Sequence, residues 1–339
     1  MILRLLSLFV FLVSFAAPTC AAEKPLKVFI LAGQSNMEGH AKMSLLEYQA
    51  AQPATAPLFA HFRKDEHWIE RDDVFIKFLE RHGKLTVNYG APQCIGPELQ
   101  FGWSVGDHYE EPVLLIKPAW GGRSLYRDFR SPSAGLPPDA ALQKLLTNAQ
   151  KKKPETTLDD IKKTFGATYR DMLTEVQAGL GDLKTYVPGY AGQGYELAGF
   201  IWFQGWNDMI DRDATAEYAV NLAHFIRDVR RDLKSPQLPF VVVQMGVNGM
   251  NPGKNIETFK AAQAEAAALP EFQGNVALVK ADALWDLEAD AVYRKGWKEN
   301  KEEWDKVGSD REYHYLGSAK TLCAIGKACA EAVLKLRKE

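Results

Sequence analysis

Five short, nearly unbroken apolar runs constrain this chain more than any other feature, at residues 26–32, 112–117, 198–203, 239–245 and 275–280. Each is apolar at almost every position rather than at alternate ones. That is the pattern of strands buried on both faces, as in a parallel sheet covered by helices. Helical patterns lie between or after them, at 96–110, 159–183, 214–233, 256–269 and 316–336. Lys335, Arg337 and Lys338 close the last of these, where cations complement a helix C-terminus. The alternation predicts a doubly wound α/β fold, a three-layer α/β/α sandwich around a parallel sheet. Two stretches, at about 43–95 and 121–154, break the alternation and are Pro-rich in places. They are expected as long loop insertions in a single domain covering 23–339. Both follow strand ends at the edge where open α/β sheets bind ligands, so they are expected to wall a cleft.

Residues 1–22 read as a secretory signal peptide. Arg4 precedes an apolar stretch at 5–17, and Ala21-Ala22 offers a small-residue cleavage site. The stretch is too short for a comfortable membrane span, and Ala17-Pro18-Thr19 is a poor lipidation signal ahead of Cys20. A secreted or periplasmic protein is expected, with no stable membrane insertion after cleavage. The net charge is −2 and the longest basic cluster is Lys151-Lys152-Lys153, which argues against a nucleic-acid partner. Without the leader, Cys94, Cys323 and Cys329 remain. An odd count argues against a disulfide framework, although pairing of Cys94 with one of the others stays open. No Cys/His group has zinc-ligand spacing, so no metal is expected.

Four segments carry chemistry. In Gly33-Gln34-Ser35-Asn36-Met37 an apolar strand runs into a polar turn with a serine at its tip. A serine there projects at the sheet edge, beside backbone N–H groups able to hold an oxyanion. The same segment also reads as a simple serine N-cap. In the block 308–318, His314 lies at the start of the final helix. Serine is a poor nucleophile without an adjacent base, and histidine titrates in the range that suits one. Asp310 is close enough to orient the second ring nitrogen; alternatively His314 is a surface residue packing at a helix start. In Gln204-Gly205-Trp206-Asn207-Asp208 a strand again meets a glycine turn, and the Asn207 amide is a candidate oxyanion donor. Ala119-Trp120-Gly121-Gly122 is a third strand end, whose glycines free a backbone N–H. Each of the last two also reads as an ordinary turn.

Together with Gly96-Pro97-Glu98-Leu99, these blocks resemble the SGNH-hydrolase superfamily, and within it the sialate O-acetylesterase and acetylxylan esterase group of carbohydrate esterases. The blocks occur in the family's order. The resemblance implies a flavodoxin-like fold, no cofactor, and removal of acetyl groups from carbohydrate hydroxyls. It makes Ser35 the nucleophile and His314 the base, with an oxyanion hole from Ser35, Gly122 (or Gly121) and Asn207. Gln34, Gly121 and Gln204 would contact substrate. Two departures stand out. The family's acid lies three residues before the histidine, where this chain has Arg311; Asp310 is four before, with Glu312 and Asp282 as substitutes. The family's Gln-Gly-Glu is here Gln204-Gly205-Trp206. Two other readings remain at this point: an SGNH lipid or thioester hydrolase with a broad apolar cleft, and a non-catalytic glycan-binding protein that keeps the fold.

Overall fold

Leu26–Gly33, the first and most continuously apolar run, is buried at every position and lies in the middle of the sheet. In the computed structural model, which describes residues 24–337, the expected leader at 1–22 falls outside the described part. Seven strands form the main sheet: β1 (Leu26–Gly33), β2 (Val74–Phe78), β3 (Arg81–Lys84), β4 (Val113–Ile116), β5 (Tyr195–Phe203), β6 (Phe240–Gln244) and β7 (Val276–Lys280). Their order is β7-β6-β5-β1-β4-β2-β3. Every pairing is parallel except β2 with β3. The five expected strands are all present.

The two extra strands correct the expectation of a loop at 43–95. That stretch carries helix α1 (Met43–Ala51) and the β2–β3 hairpin, which extends the sheet by one parallel and one antiparallel strand. Outermost β3 reads Arg-His-Gly-Lys and is largely exposed, a charged edge that discourages further pairing. After α2 (Glu98–Gly106), the stretch 121–154 contains another helix, α3 (Asp139–Gln150). The single helix expected at 159–183 is two, α4 (Leu158–Thr164) and α5 (Ala167–Gly181). They break where Phe165 is extended and Gly166 takes φ 69°, a left-handed conformation that glycine adopts without steric cost.

The remaining helices are α6 (Arg212–Asp232), α7 (Lys254–Ala267) and α8 (Ala319–Leu336). Alternation along β5 shows how the layers are divided. Phe200 and Trp202 face α6, where the Phe225 ring lies 6.0 Å and 4.3 Å from theirs. Gly199 faces α8 so closely that a Cβ would lie 2.3 Å from Val333 Cγ2. Burying each large aromatic side chain contributes about 1.5–3 kcal/mol. A contiguous apolar core runs from Leu26 to Val333, and Leu142, Leu146, Ile161 and Phe165 make a small second cluster where α3 meets α4. Among the described residues no helix is long and apolar enough to cross a membrane. Cys94, Cys323 and Cys329 are buried free thiols.

Candidate active site

β1 has β4 on one side and β5 on the other, so the chain reverses its direction of winding there. The segments leaving these three strands converge at one sheet edge, the position where such folds form a crevice. Ser35 opens a single helical turn, Ser35–Glu38, directly after β1. The turn closes with the Gly39 N–H on the Ser35 carbonyl at 2.8 Å. Below it lies Lys117, from the end of β4, which is wholly buried. Its ammonium donates to the carbonyls of Glu38 (2.9 Å) and Tyr89 (2.7 Å) and to Glu98 Oε2 (2.7 Å). Burial pulls the Lys117 pKa down, and Glu98 opposes that pull.

The glycine pair after β4 packs against this turn. A Cβ on Gly121 would lie 3.7 Å from Ser35 Cβ. Gly122 has φ 71° with open space around it, so backbone conformation rather than crowding calls for glycine there. From the β5 turn, Asn207 Nδ2 donates to the Gly122 carbonyl at 3.2 Å, which leaves its second N–H uncommitted. Ser35, Gly121, Gly122 and Asn207 therefore surround one small region.

Gln34 and Gln204 sit underneath it. Both are buried, and Gln204 Nε2 donates to Gln34 Oε1 (3.1 Å), to the Arg123 carbonyl (3.0 Å) and to Asp208. The Tyr218 hydroxyl donates to Gln204 Oε1 at 3.0 Å. Gln204 through both polar atoms and Gln34 through its Oε1 join this network, and the two buried glutamines form the floor of the crevice. Asp208 completes it by accepting the N–H groups of Leu125 and Tyr126, each at 2.8 Å, which ties the glycine segment to the β5 turn. Burial pushes its carboxyl up to about 6, against the hydrogen bonds it accepts.

His314 precedes α8 in a tight 3₁₀ turn rather than within the helix. Tyr315, Leu316 and Gly317 follow with φ of 53°, 60° and 56°, three successive left-handed residues. For Tyr315 and Leu316 that conformation costs of order 1 kcal/mol or more each and persists only where packing enforces it. Here Tyr315 is fully buried and its hydroxyl accepts the Gly246 N–H at 2.9 Å. The reversal turns the Leu316 carbonyl back onto the N–H groups of Ser309 (2.8 Å) and Asp310 (3.2 Å), and within this closed loop His314 Nδ1 lies 3.0 Å from Asp310 Oδ2. Glu312 is bound by the Tyr293 hydroxyl and Asp282 by Lys260, so neither substitute faces the imidazole. Asn36 Nδ2 donates to the Tyr313 carbonyl at 3.0 Å, tying this loop to the Ser35 turn. No hydrogen bond joins Ser35 to His314 among the described residues; nucleophile–base contacts often tighten only when substrate is engaged.

Sequence reasoning missed two residues here. His40 stacks on His314, ring centroids 4.0 Å apart and planes 11° from parallel. Its Nδ1 lies 3.3 Å from Asp310 Oδ2 and its Nε2 3.7 Å from Glu38 Oε2. Burial disfavours its charge, yet Asp310 and Glu38 outweigh that and push its pKa up to about 9. Burial likewise opposes ionisation of Asp310, but the His314 and His40 imidazoles hold its carboxyl well below the usual range. Glu38 is also lowered: burial is outweighed by His40, Lys117 and the Gly121 N–H. His40, Asp310 and His314 bring ligating atoms within 4.8 Å of one another. The parallel stack, however, directs the two rings' lone pairs side by side rather than towards a common ion.

A family model described as carbohydrate esterase, sialic acid-specific acetylesterase, matches residues 25–294. The match takes in the Ser35, Gly121 and Gln204 segments and ends before Asp310 and His314. Among solved structures, the chain is similar to a protein from Arabidopsis thaliana at 16% identity and a TM-score of 0.52, covering 91% of this chain and 98% of that one. That likeness supports the fold. Lower similarity extends to a carbohydrate acetylesterase from Xanthomonas citri (16% identity, TM-score 0.43, 74% of this chain and 49% of that one). NanS is comparable (16% identity, TM-score 0.42, 76% and 78%). A search of curated protein sequences finds no match.

Proposed function

The chain belongs to the sialic acid-specific acetylesterase family of carbohydrate esterases, and on that premise we propose that it removes O-acetyl groups from a carbohydrate through an acyl-enzyme on Ser35. The observation that carries this reading is the 3.0 Å contact between His314 and Asp310, on a loop tied by Asn36 to the Ser35 turn. Asp310 fixes the ring with Nδ1–H towards itself, leaving Nε2 to act as base. Ser35 attacks the acetyl carbonyl carbon as His314 takes the hydroxyl proton. The oxyanion is held by the Ser35 and Gly122 N–H groups and the free N–H of Asn207. His314 then gives its proton to the departing sugar oxygen. Water, deprotonated by the same imidazole, attacks the acyl-enzyme and releases acetate.

Gln34 and Gln204 serve this reaction by holding the floor in shape rather than by touching the ester. Gly121, where an added Cβ would sit 3.7 Å from Ser35 Cβ, lets the segment after β4 approach the nucleophile and the bound ester. Trp206 and Tyr313, rings 5.5 Å apart and both partly exposed, offer flat apolar faces to a sugar ring beside His314. The residues work within a single domain, which the leader would deliver out of the cytoplasm. The test is acetate release from acetylated xylan and from O-acetylated sialic acid by the mature protein, beside Ser35→Ala and Asp310→Asn. Loss of turnover in the first and a sharp drop in the second are expected. Turnover that survives Ser35→Ala would refute the acyl-enzyme.

A further inference from the structure

We propose that His40 is a positioning residue for the base: as an imidazolium stacked on His314 and sharing its carboxylate, it keeps His314 uncharged and proton-accepting. The inference rests on the reading of His314 as base. Three observations lead to it. The two rings are stacked at 4.0 Å, so a charge on one is felt directly by the other. Asp310 Oδ2 is shared, 3.0 Å from His314 Nδ1 and 3.3 Å from His40 Nδ1. Glu38, on the nucleophile's own turn, lies on the other side of the His40 ring at 3.7 Å.

The charges facing His40 can be followed element by element. The Ser35–Glu38 turn contributes Glu38, and the 3₁₀ loop contributes Asp310 and His314. A short antiparallel ladder, Ala41–Lys42 against Cys94–Ile95, brings Lys42 and Cys94 alongside. The Cys94 thiol is pushed up to about 11, by burial first and then by Asp310, so it stays neutral. From β4, Lys117 acts behind Glu38. Two carboxylates thus flank one imidazole and favour its cation.

A Ser–His–Asp arrangement with an undivided aspartate raises the histidine's basicity, which favours an imidazolium that cannot accept the serine proton at mildly acid pH. Sharing Asp310 with a second cation reduces that effect, and the stacked positive charge opposes a second charge on His314. The enzyme therefore keeps a neutral base at lower pH than it otherwise would. His40 touches neither ester nor leaving group and acts only through His314.

The experiment is the pH dependence of kcat/KM for acetate release by wild type, His40→Gln and His40→Lys, with His314→Gln as control. Removing the cation in His40→Gln is expected to move the acid limb upward by about one pH unit. Below the limb, activity at fixed pH then falls about tenfold, in kcat more than in KM. His40→Lys, which restores a cation, should return the limb towards its wild-type position. An unmoved limb in a folded His40→Gln protein overturns the proposal. Full activity in His314→Gln would instead overturn the reading of His314 as base. Ring ¹⁵N chemical shifts of the unmodified enzyme give a second readout that no folding defect can obscure. At pH 7, His40 should carry protons on both nitrogens and His314 on one; a neutral His40 would also refute the inference.

Discussion

Replacing Lys117 by methionine tests how the Ser35 turn is held. The side chain is wholly buried against Glu98, which is buried as completely. Methionine keeps most of the apolar stem and removes the ammonium with its three hydrogen bonds. Breaking a buried ion pair from one side costs about 3–5 kcal/mol, because the remaining charge is left without a partner. The carbonyls of Glu38 and Tyr89 lose their donor and add about 1 kcal/mol each at the low end. A loss of about 5–7 kcal/mol follows, comparable with the roughly 5–15 kcal/mol that typically separates a folded domain from its unfolded chain. Urea unfolding followed by tryptophan fluorescence should show a protein barely stable at room temperature. The double variant Lys117→Met/Glu98→Gln carries no stranded charge, and its glutamine still accepts the Gly96 N–H that Glu98 Oε1 receives at 2.8 Å. It should recover about 3 kcal/mol relative to the single variant. A single variant that loses less than about 1 kcal/mol, or a double variant no better than the single, would refute the reasoning.

Two further expectations concern the crevice. Asn207→Ala should lower kcat about 10²–10³-fold with KM little changed, the mark of a donor engaged only in the transition state; unaltered kcat on acetylated substrate removes Asn207 from the oxyanion hole. Asp208 has a folded-state pKa of about 6 against an ordinary 3.8, so the folded protein takes up its proton before the unfolded chain does. Its contribution to stability is therefore greatest below about pH 4, falls as pH rises to about 6, and is constant above. Asp208→Asn should flatten that part of the stability profile, and an unchanged slope in chemical denaturation at pH 4, 5 and 6 would assign it to another group.

The central strands were legible because a two-sided parallel strand writes itself as an unbroken apolar run. The β2–β3 hairpin was not. Lys77 interrupts β2, and is buried there beside Glu175, a pairing that only the fold provides. The charged β3 satisfies an edge rather than a core. Within the crevice, Ser35, Gly122 and Asn207 could be proposed because each lies in the segment leaving a strand, so sequence proximity to a strand end stood in for position. Asp310 could be named but not placed, since the loop that holds its backbone closes through three left-handed residues, two of them a tyrosine and a leucine with no local tendency to adopt that conformation. His40 carried no sequence signal. It closes no strand, and its partner Asp310 lies at the far end of the chain. Gln34 and Gln204 had the opposite fate, conspicuous in sequence yet enclosed in the floor.

The hydrogen bond from Asn36 to Tyr313 joins groups 277 positions apart. On the ribosome, Ser35, the nucleophile of the proposed reaction, is therefore made long before His314, its proposed base. In the proposed mechanism, a nascent chain holds Ser35 without its activating group until the loop carrying His314 has emerged and α8 has docked. Closing so long a loop adds little entropy beyond a shorter one, since the cost grows only logarithmically, but the contact can form only late. Ester cleavage would then appear only once that loop is in place. On the proposed mechanism, a fragment ending before residue 310 would be inert, and turnover would report that the His314 loop had reached the Ser35 turn.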